Sequence, residues 1–319
     1  MIDAAVAARQ AGNTPHCWWY RKRSYGGRSN RRQVTTDEEL LAAADALREA
    51  VLVAGNGSTG TAVADWVAAG DAPAATDVET PDVSVVAVDA ADADASADIE
   101  SPGALLSVAV VAVPQRPSAG ERRLLTALES TVDTVIVTTG DAPELTTAVE
   151  AFVSMVRDAG FVNVDLADAR TVFEPVAQAA LGIGESPGGT PGEAVEEAIA
   201  ALPPGVETDT ASGVLVDLRG GPSMSVGDVN DAVTAVREQV GTEAHVIWGG
   251  KVDEALSETV VVRLIAAGVD NVRAAPGDDC PRCDRGLFAY TLSGLPGLSC
   301  DTCGFGGVST GRKKNSESS

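Results

Sequence analysis

Apolar runs recur along this chain, each closed by a turn and followed by a helical period. That alternation limits the fold more than any other feature. "AVLVAG" (50–55), "VSVVAV" (83–88), "ALLSVAVVAV" (104–113) and "VDTVIVTT" (132–139) are nearly continuous in small aliphatic residues. Strands buried on both faces read this way, whereas half-exposed strands alternate. Between them, "TAVADWVAAG" (61–70) and "GERRLLTALEST" (120–131) are helical, the first ending at Gly70. Residues 144–158 place Leu145, Ala148, Val149, Phe152 and Val156 on one helical face, closed by Gly160. Upstream, Thr36 with Glu39 predicts a capping box ahead of Leu40, Leu41, Ala44 and Leu47. The expected product is an α/β fold with an open, mostly parallel sheet.

The second half changes style. Thr190, Pro191 and Glu193 predict a capped helix start with proline in its first turn. Ser225 with Asp228 predicts another, carrying Val229, Val233, Val236 and Val240 and stopped by Gly241. "GVLVDLRGG", "AHVIWGGKVD" and "ETVVVRLIAAGV" read as strands, which gives an α+β layer.

Charge narrows the partners. The net charge is −23, with 46 acidic against 23 basic residues, and the only lysines are Lys22, Lys251, Lys313 and Lys314. Such a surface suits a salt-rich cytoplasm and argues against nucleic-acid binding by the main body. No apolar run is long enough to span a bilayer, and no signal-peptide core is present, so a soluble cytoplasmic protein is expected. Residues 1–34 differ from the rest: "HCWWYRKRSYGGRSNRR" is basic and aperiodic. They read as a disordered tail, as sequence ahead of a start at Val34, or as an arm touching lipid or nucleic acid.

Two motifs carry chemistry on spacing alone. "CPRCDRG" and "CDTCGFGG" place Cys280, Cys283, Cys300 and Cys303 as two CxxC pairs with 16 residues between them. Two such turns supply four thiolates for a closed tetrahedral cage, and a closed cage predicts structural zinc. Cys17 is left over. Gly55, Gly57 and Gly60 of "GNGSTG" form a GxGxxG between a strand and a helix. This is a phosphate-binding pattern, although a tight turn with no ligand explains it nearly as well. No acidic residue follows at the dinucleotide spacing, so a nicotinamide cofactor is not expected. His16 and His245 are too isolated to support a nucleophilic triad.

Further on, "AHVIWGGKVDEALSETVVVRLIAAGV" resembles the closing strands of FtsZ, the prokaryotic relative of tubulin. "GVLVDLRGGPSMSVGDVNDAVTAVRE" resembles that family's strand, Gly-Gly turn and helix. "AQAALGIGES" resembles its short helix with a Gly-Ile-Gly turn. "GFVNVDLADARTVF" (160–173) resembles the loop below the family's central helix, with its Asn-x-Asp-x-x-Asp pattern. The likeness covers roughly residues 36–270. It implies a shortened Rossmann-like FtsZ/tubulin nucleotide-binding domain, a central helix and an α+β C-terminal FtsZ domain, with the zinc ribbon added. The implied boundaries are 1–34 tail, 35–143 nucleotide-binding-type domain, 144–168 central helix and bottom-face loop, 169–272 C-terminal domain, 273–311 ribbon and 312–319 tail. In the family, the bottom-face loop completes the GTPase site of the next filament subunit. By resemblance, Asn163, Asp165 and Asp168 would be that trans-acting catalytic set. Taken without the family, the same residues read as turn and helix capping.

The departures lie in the implied GTP pocket. Where the family has Gly-Gly-Gly-Thr-Gly-Thr-Gly, this chain has "DAADADASADI", an acidic and flexible-looking segment with Asp89, Asp92, Asp94 and Asp98. Carboxylates there would repel a triphosphate. The family's base-contacting Asn-Asp-Arg is here "TGDAPE", with Gly140 in place of the asparagine. A degraded GTP site is therefore expected, in a chain that binds or regulates FtsZ-type filaments or associates with itself. The alternatives are a working GTPase with a divergent pocket and a zinc-ribbon nucleic-acid binder.

Overall fold

The computed structural model describes residues 50–69, 81–99, 103–157, 161–162, 164–173, 176–269, 276–280, 282–292 and 295–308. The chain divides into two compact units, 1–47 and 48–319, and every described residue belongs to the second. The basic tail with His16 and Cys17, the Thr36–Glu39 capping box, Gly70, Gly160 and Asn163 lie outside the described residues.

An eight-stranded sheet organises the second unit. Its members are β1 (Val51–Asn56), β2 (Val83–Asp89), β3 (Leu106–Val113), β4 (Thr134–Thr139), β5 (Gln178–Ser186), β6 (Gly213–Gly220), β7 (His245–Val252) and β8 (Val260–Ala267), in the order β1-β2-β3-β4-β5-β8-β6-β7. Strands β1 to β5 pair in parallel, β8 runs antiparallel between β5 and β6, and β7 is parallel to β6. Every residue of β2 is buried, as its unbroken apolar run requires of a strand covered on both faces.

Helices cover both faces. On one side, α1 (Gly57–Ala69), α3 (Ala142–Arg157) and α4 (Leu166–Phe173) close a core that includes Val63, Val67, Leu145, Phe152 and Phe173. Phe152 and Phe173 stack tilted at 6.0 Å. On the other side, α2 (Ala119–Leu128) buries Leu125 and Leu128 against β2, β3 and β4. In the second half, α5 (Pro191–Ala200) and α6 (Val226–Gln239) cover β6 and β8. The Ser225–Asp228 capping box forms as expected. At α5 it does not: Thr190 is the N-cap without a side-chain bond, and the Glu193 carboxylate instead accepts from the Ser186 hydroxyl at 3.1 Å.

The segment "AQAALGIGES" departs from the helix expected of it. It is strand β5, joined to β4 over Gln178–Ala180 and to β8 over Ala179–Ser186. Its glycines are seats for α5. A Cβ on Gly182 would meet the Ala198 carbonyl oxygen at 2.0 Å, and one on Gly184 the Ala194 oxygen at 2.2 Å. Removing side chains lets helix and strand backbones approach, so the small residues mark close packing.

A buried charge cluster ties α3 to the second half. The Asp217 carboxylate accepts from Arg219 Nε at 2.8 Å and from Arg263 Nη1 at 3.4 Å. Both guanidinium groups also donate to the Ser154 hydroxyl of α3, at 3.1 and 2.7 Å. This holds the C-terminal part of α3 against β6 and β8.

Candidate functional site

The loop after α3 is seated on the edge strand β7. Phe161 and Val162 donate to the Gly250 carbonyl at 3.0 and 3.4 Å, and Gly250 donates back to Val162 at 2.9 Å. This antiparallel bridge extends the sheet edge by a short segment. The seat needs both glycines of "WGGK". A Cβ on Gly249 would lie 2.8 Å from Val164 Cγ2, and one on Gly250 2.5 Å from Phe161 Cζ. Beyond the seat the chain turns into α4. The Asp168 amide donates to Asp165 Oδ1 at 2.9 Å, and the Asp165 amide donates to Asp168 Oδ2 at 3.3 Å. That is a reciprocal helix cap. It uses one oxygen of each carboxylate, and Asp165 is exposed. The structure thus brings Asp165 and Asp168 together at one helix start.

The glycine loop and the acidic segment meet in the structure. The turn after β1 opens α1, and the first amides of a helix lack intrahelical acceptors. Here they are taken from within the chain. Thr59 N donates to Asp92 Oδ2 at 2.7 Å, and Ser58 N to Asp94 Oδ1 at 3.3 Å. The Ser58 hydroxyl lies 3.3 and 3.4 Å from the same two carboxylate oxygens. Ser96 N donates to the Asn56 side chain at 2.9 Å, which closes the segment over the turn. The acidic stretch, read as flexible from sequence, is a set of ordered turns docked on α1. Carboxylates suit a helix N-terminus for the same reason that phosphate does.

Packing accounts for the three glycines. Gly57 has φ +76°, which side-chain-bearing residues rarely adopt. A Cβ on Gly60 would lie 2.2 Å from the Ala87 carbonyl oxygen, and one on Gly55 2.3 Å from the Gly60 backbone. They let α1 lie close against β1 and β2.

The loop that follows β4 is also acidic. The Asp141 amide donates to Glu144 Oε2 at 3.1 Å. A hydrogen bond with Glu144 raises the Asp141 carboxyl above its usual value, with smaller upward effects from desolvation and the nearby charges of Glu144 and Asp89. The same bond, with the Asp141 amide, lowers Glu144. Gly140, at φ +139°, leaves room for the Glu144 side chain.

The four cysteines converge. All four Sγ atoms lie within 4.8 Å of one another, with Cys280 to Cys303 and Cys283 to Cys300 each at 3.5 Å. Tetrahedral zinc with Zn–S bonds of about 2.3 Å needs sulfurs about 3.8 Å apart, so the four thiols fit one ion. Cys280 and Cys300 are buried, and Arg282 N points at Cys280 Sγ at 3.4 Å. As free thiols they compete for one negative charge. Amides of Cys303 and Thr302 help lower Cys300 to about 6. At Cys283 the Arg285 amide favours the thiolate, but burial and the neighbouring thiols outweigh it and push the group up to about 12. A cation shared by all four would relieve that competition. Around them lie β9 (Phe288–Leu292), β10 (Leu295–Ser299) and β11 (Gly306–Val308), a small antiparallel sheet. Arg122 of α2 holds this module through Asp278 at 2.6 Å.

Several of these partners escape the sequence. Asp92 and Asp94 were visible as charges, but their bonds to α1 depend on the β1–β2 register. The Gly249–Gly250 seat is legible only as a glycine pair inside a strand, a pattern that marks close backbone approach.

The comparisons agree with this architecture. Residues 177–270 match the family model described as FtsZ family, C-terminal domain. Cell division protein FtsZ 2 of Rhizobium meliloti is 33% identical over 219 residues, covering 60% of this chain and 62% of that protein. Cell division protein FtsZ 1 of Halobacterium salinarum is 28% identical over 203 residues, covering 54% and 51%. Among solved structures, a point mutant of M. jannaschii FtsZ superposes with TM-score 0.58 at 22% identity, over 73% of this chain and 95% of that one. An empty M. jannaschii FtsZ dimer gives 0.53 at 24% identity, over 66% and 68%. The fold is that of the FtsZ/tubulin superfamily. The chain spans from about a third to 62% of the length of the first curated relatives it matches. No described helix is long and apolar enough to cross a membrane.

Proposed function

We propose that this chain is an FtsZ-type cytoskeletal or cell-division subunit whose own GTP site is degraded. In this reading it acts through the loop 161–168 on the nucleotide-bearing face of an FtsZ-type subunit. One observation carries it: Asp92 and Asp94 accept from Thr59 and Ser58, the amides a nucleotide phosphate would take. A triphosphate entering there would have to displace two carboxylates or sit against them, and like charges in a partly desolvated site oppose each other. The capped pair Asp165 and Asp168 keeps the opposite half of a shared site. Carboxylates held at a helix start can orient a water for attack on a neighbour's γ-phosphoryl group, where positioning is most of the catalysis. Asn163 would join them from its place in the motif. The cysteine cage holds one structural zinc ion that supplies folding energy and no chemistry.

The test is co-sedimentation of the full chain with FtsZ-type filaments, together with their GTP turnover. Binding and a change in turnover are expected, and Asp165→Asn with Asp168→Asn should abolish the change in turnover. A chain that neither binds the filaments nor alters their turnover overturns the proposal.

A further inference from the structure

The cysteine module reaches the start of α2 through two ion pairs. Arg122 Nη2 donates to Asp278 at 2.6 Å, with the two side chains 13% and 20% exposed. Arg123 Nη1 reaches Asp284 at 3.5 Å, but that pair is 54% and 65% exposed and contributes little. Arg122 Nε and Nη1 are buried and find no acceptor among the described residues. A guanidinium held out of water with unmet donors costs desolvation, so Arg122 stays beneath the module only while Asp278 is held against it. The helix itself is short, ten residues, and helices under about 12–15 residues are marginal alone. Leu125 and Leu128 anchor its later turns in the apolar core, whereas Ala119, the buried residue of its first turn, lies outside that core.

Asp278 in turn is placed by the chain that forms the cage. Gly277 N donates to the Leu287 carbonyl, Leu287 N to that of Asp278 and Cys280 N to that of Arg285, each at 2.7 Å. This ladder runs into the turn of the first CxxC pair, where the Cys280 carbonyl accepts from Cys283 N at 3.3 Å and Asp284 N at 2.9 Å. Behind it the apolar packing is thin: Leu287 is buried, and Leu298 and Phe305 are partly so. So small a core needs a metal to fold. The zinc reading proposed above, on which this inference rests, supplies one. We infer that the metal clamps α2 to the module: with zinc in the cage the first CxxC turn holds Asp278 on Arg122 and pins the start of α2, and loss of zinc releases both.

Native mass spectrometry of the full chain counts the zinc, and hydrogen exchange before and after chelation reads the clamp. One zinc per chain is expected. Its removal should speed exchange of 115–125 severalfold, along with 276–308, while 213–267 keeps its protection. Asp278→Ala should speed 115–125 to a similar extent with zinc still bound. Exchange of 115–125 that does not respond to chelation overturns the inference and leaves the zinc cage standing. So does opening that spreads to 213–267, or a zinc-bound Asp278→Ala chain in which 115–125 is as protected as before. If Asp278→Ala sheds its zinc, the loaded and chelated forms of the unaltered chain decide. A chain that takes up no zinc overturns the cage, and the clamp with it.

Discussion

A methyl group on Gly60 would sit 2.2 Å from a carbonyl oxygen of β2, whereas one on Gly192, in the first turn of α5, would meet nothing within 4 Å. Overpacking costs about 1–3 kcal/mol, and a compatible Gly→Ala change gains about 0.4–1 kcal/mol. Urea unfolding should therefore show Gly60→Ala destabilised and Gly192→Ala unchanged or stabilised. The GxGxxG pattern was legible as a tight turn, but its cause was not: helix–strand distance depends on what packs behind, and sequence carries no distance. Asp228 offers a second residue-scale check. Bonds from the Ser225 amide and hydroxyl hold its carboxyl below the usual value. A depressed folded pKa gives stability that is present above the unfolded carboxylate value near about pH 4 and fades as pH falls through the folded one. Ser225→Ala removes the hydroxyl donor, so urea titrations should show it losing more stability at pH 7 than at about pH 2.

At the scale of elements, strands with long β-branched runs were legible because burial on both faces leaves one pattern. Strand β5 was not, because "AALGIG" carries only two large side chains, Leu181 and Ile183, too few to separate a period of 2 from one of 3.6. The start of α1 shows a different limit. Asp92 lies 33 residues from Thr59 in sequence, so a cap of this kind follows from strand pairing and not from a local motif. Asp92→Ala should cost about 0.5–2 kcal/mol, as loss of an N-cap does. The buried cluster at the end of α3 is costlier to break. Asp217→Ala leaves two guanidinium groups facing each other across β6 and β8, and removing one partner of a buried pair costs about 3–5 kcal/mol. Denaturant unfolding measures the cost, and hydrogen exchange should show faster opening of 161–168, whose seat depends on where α3 ends.

For the whole molecule, the cysteine cage was the part most readable in advance, since ligand spacing in two tight turns is local chemistry. One zinc per chain is expected by native mass spectrometry, lost in Cys300→Ser, with proteolysis of 276–308 accelerated after chelation. The opposite is true of the nucleotide end. Acidic residues in place of glycines were legible as a charge that would repel a triphosphate, but not as the acceptors that satisfy the helix start. An end filled from within and a loop that faces outward are the two halves of one account. It is tested most directly by titrating labelled GTP onto the zinc-loaded full chain beside an FtsZ-type control. No saturable binding and no turnover, at concentrations where the control saturates, is the predicted result. Saturable binding with turnover that climbs steeply with protein concentration would contradict it.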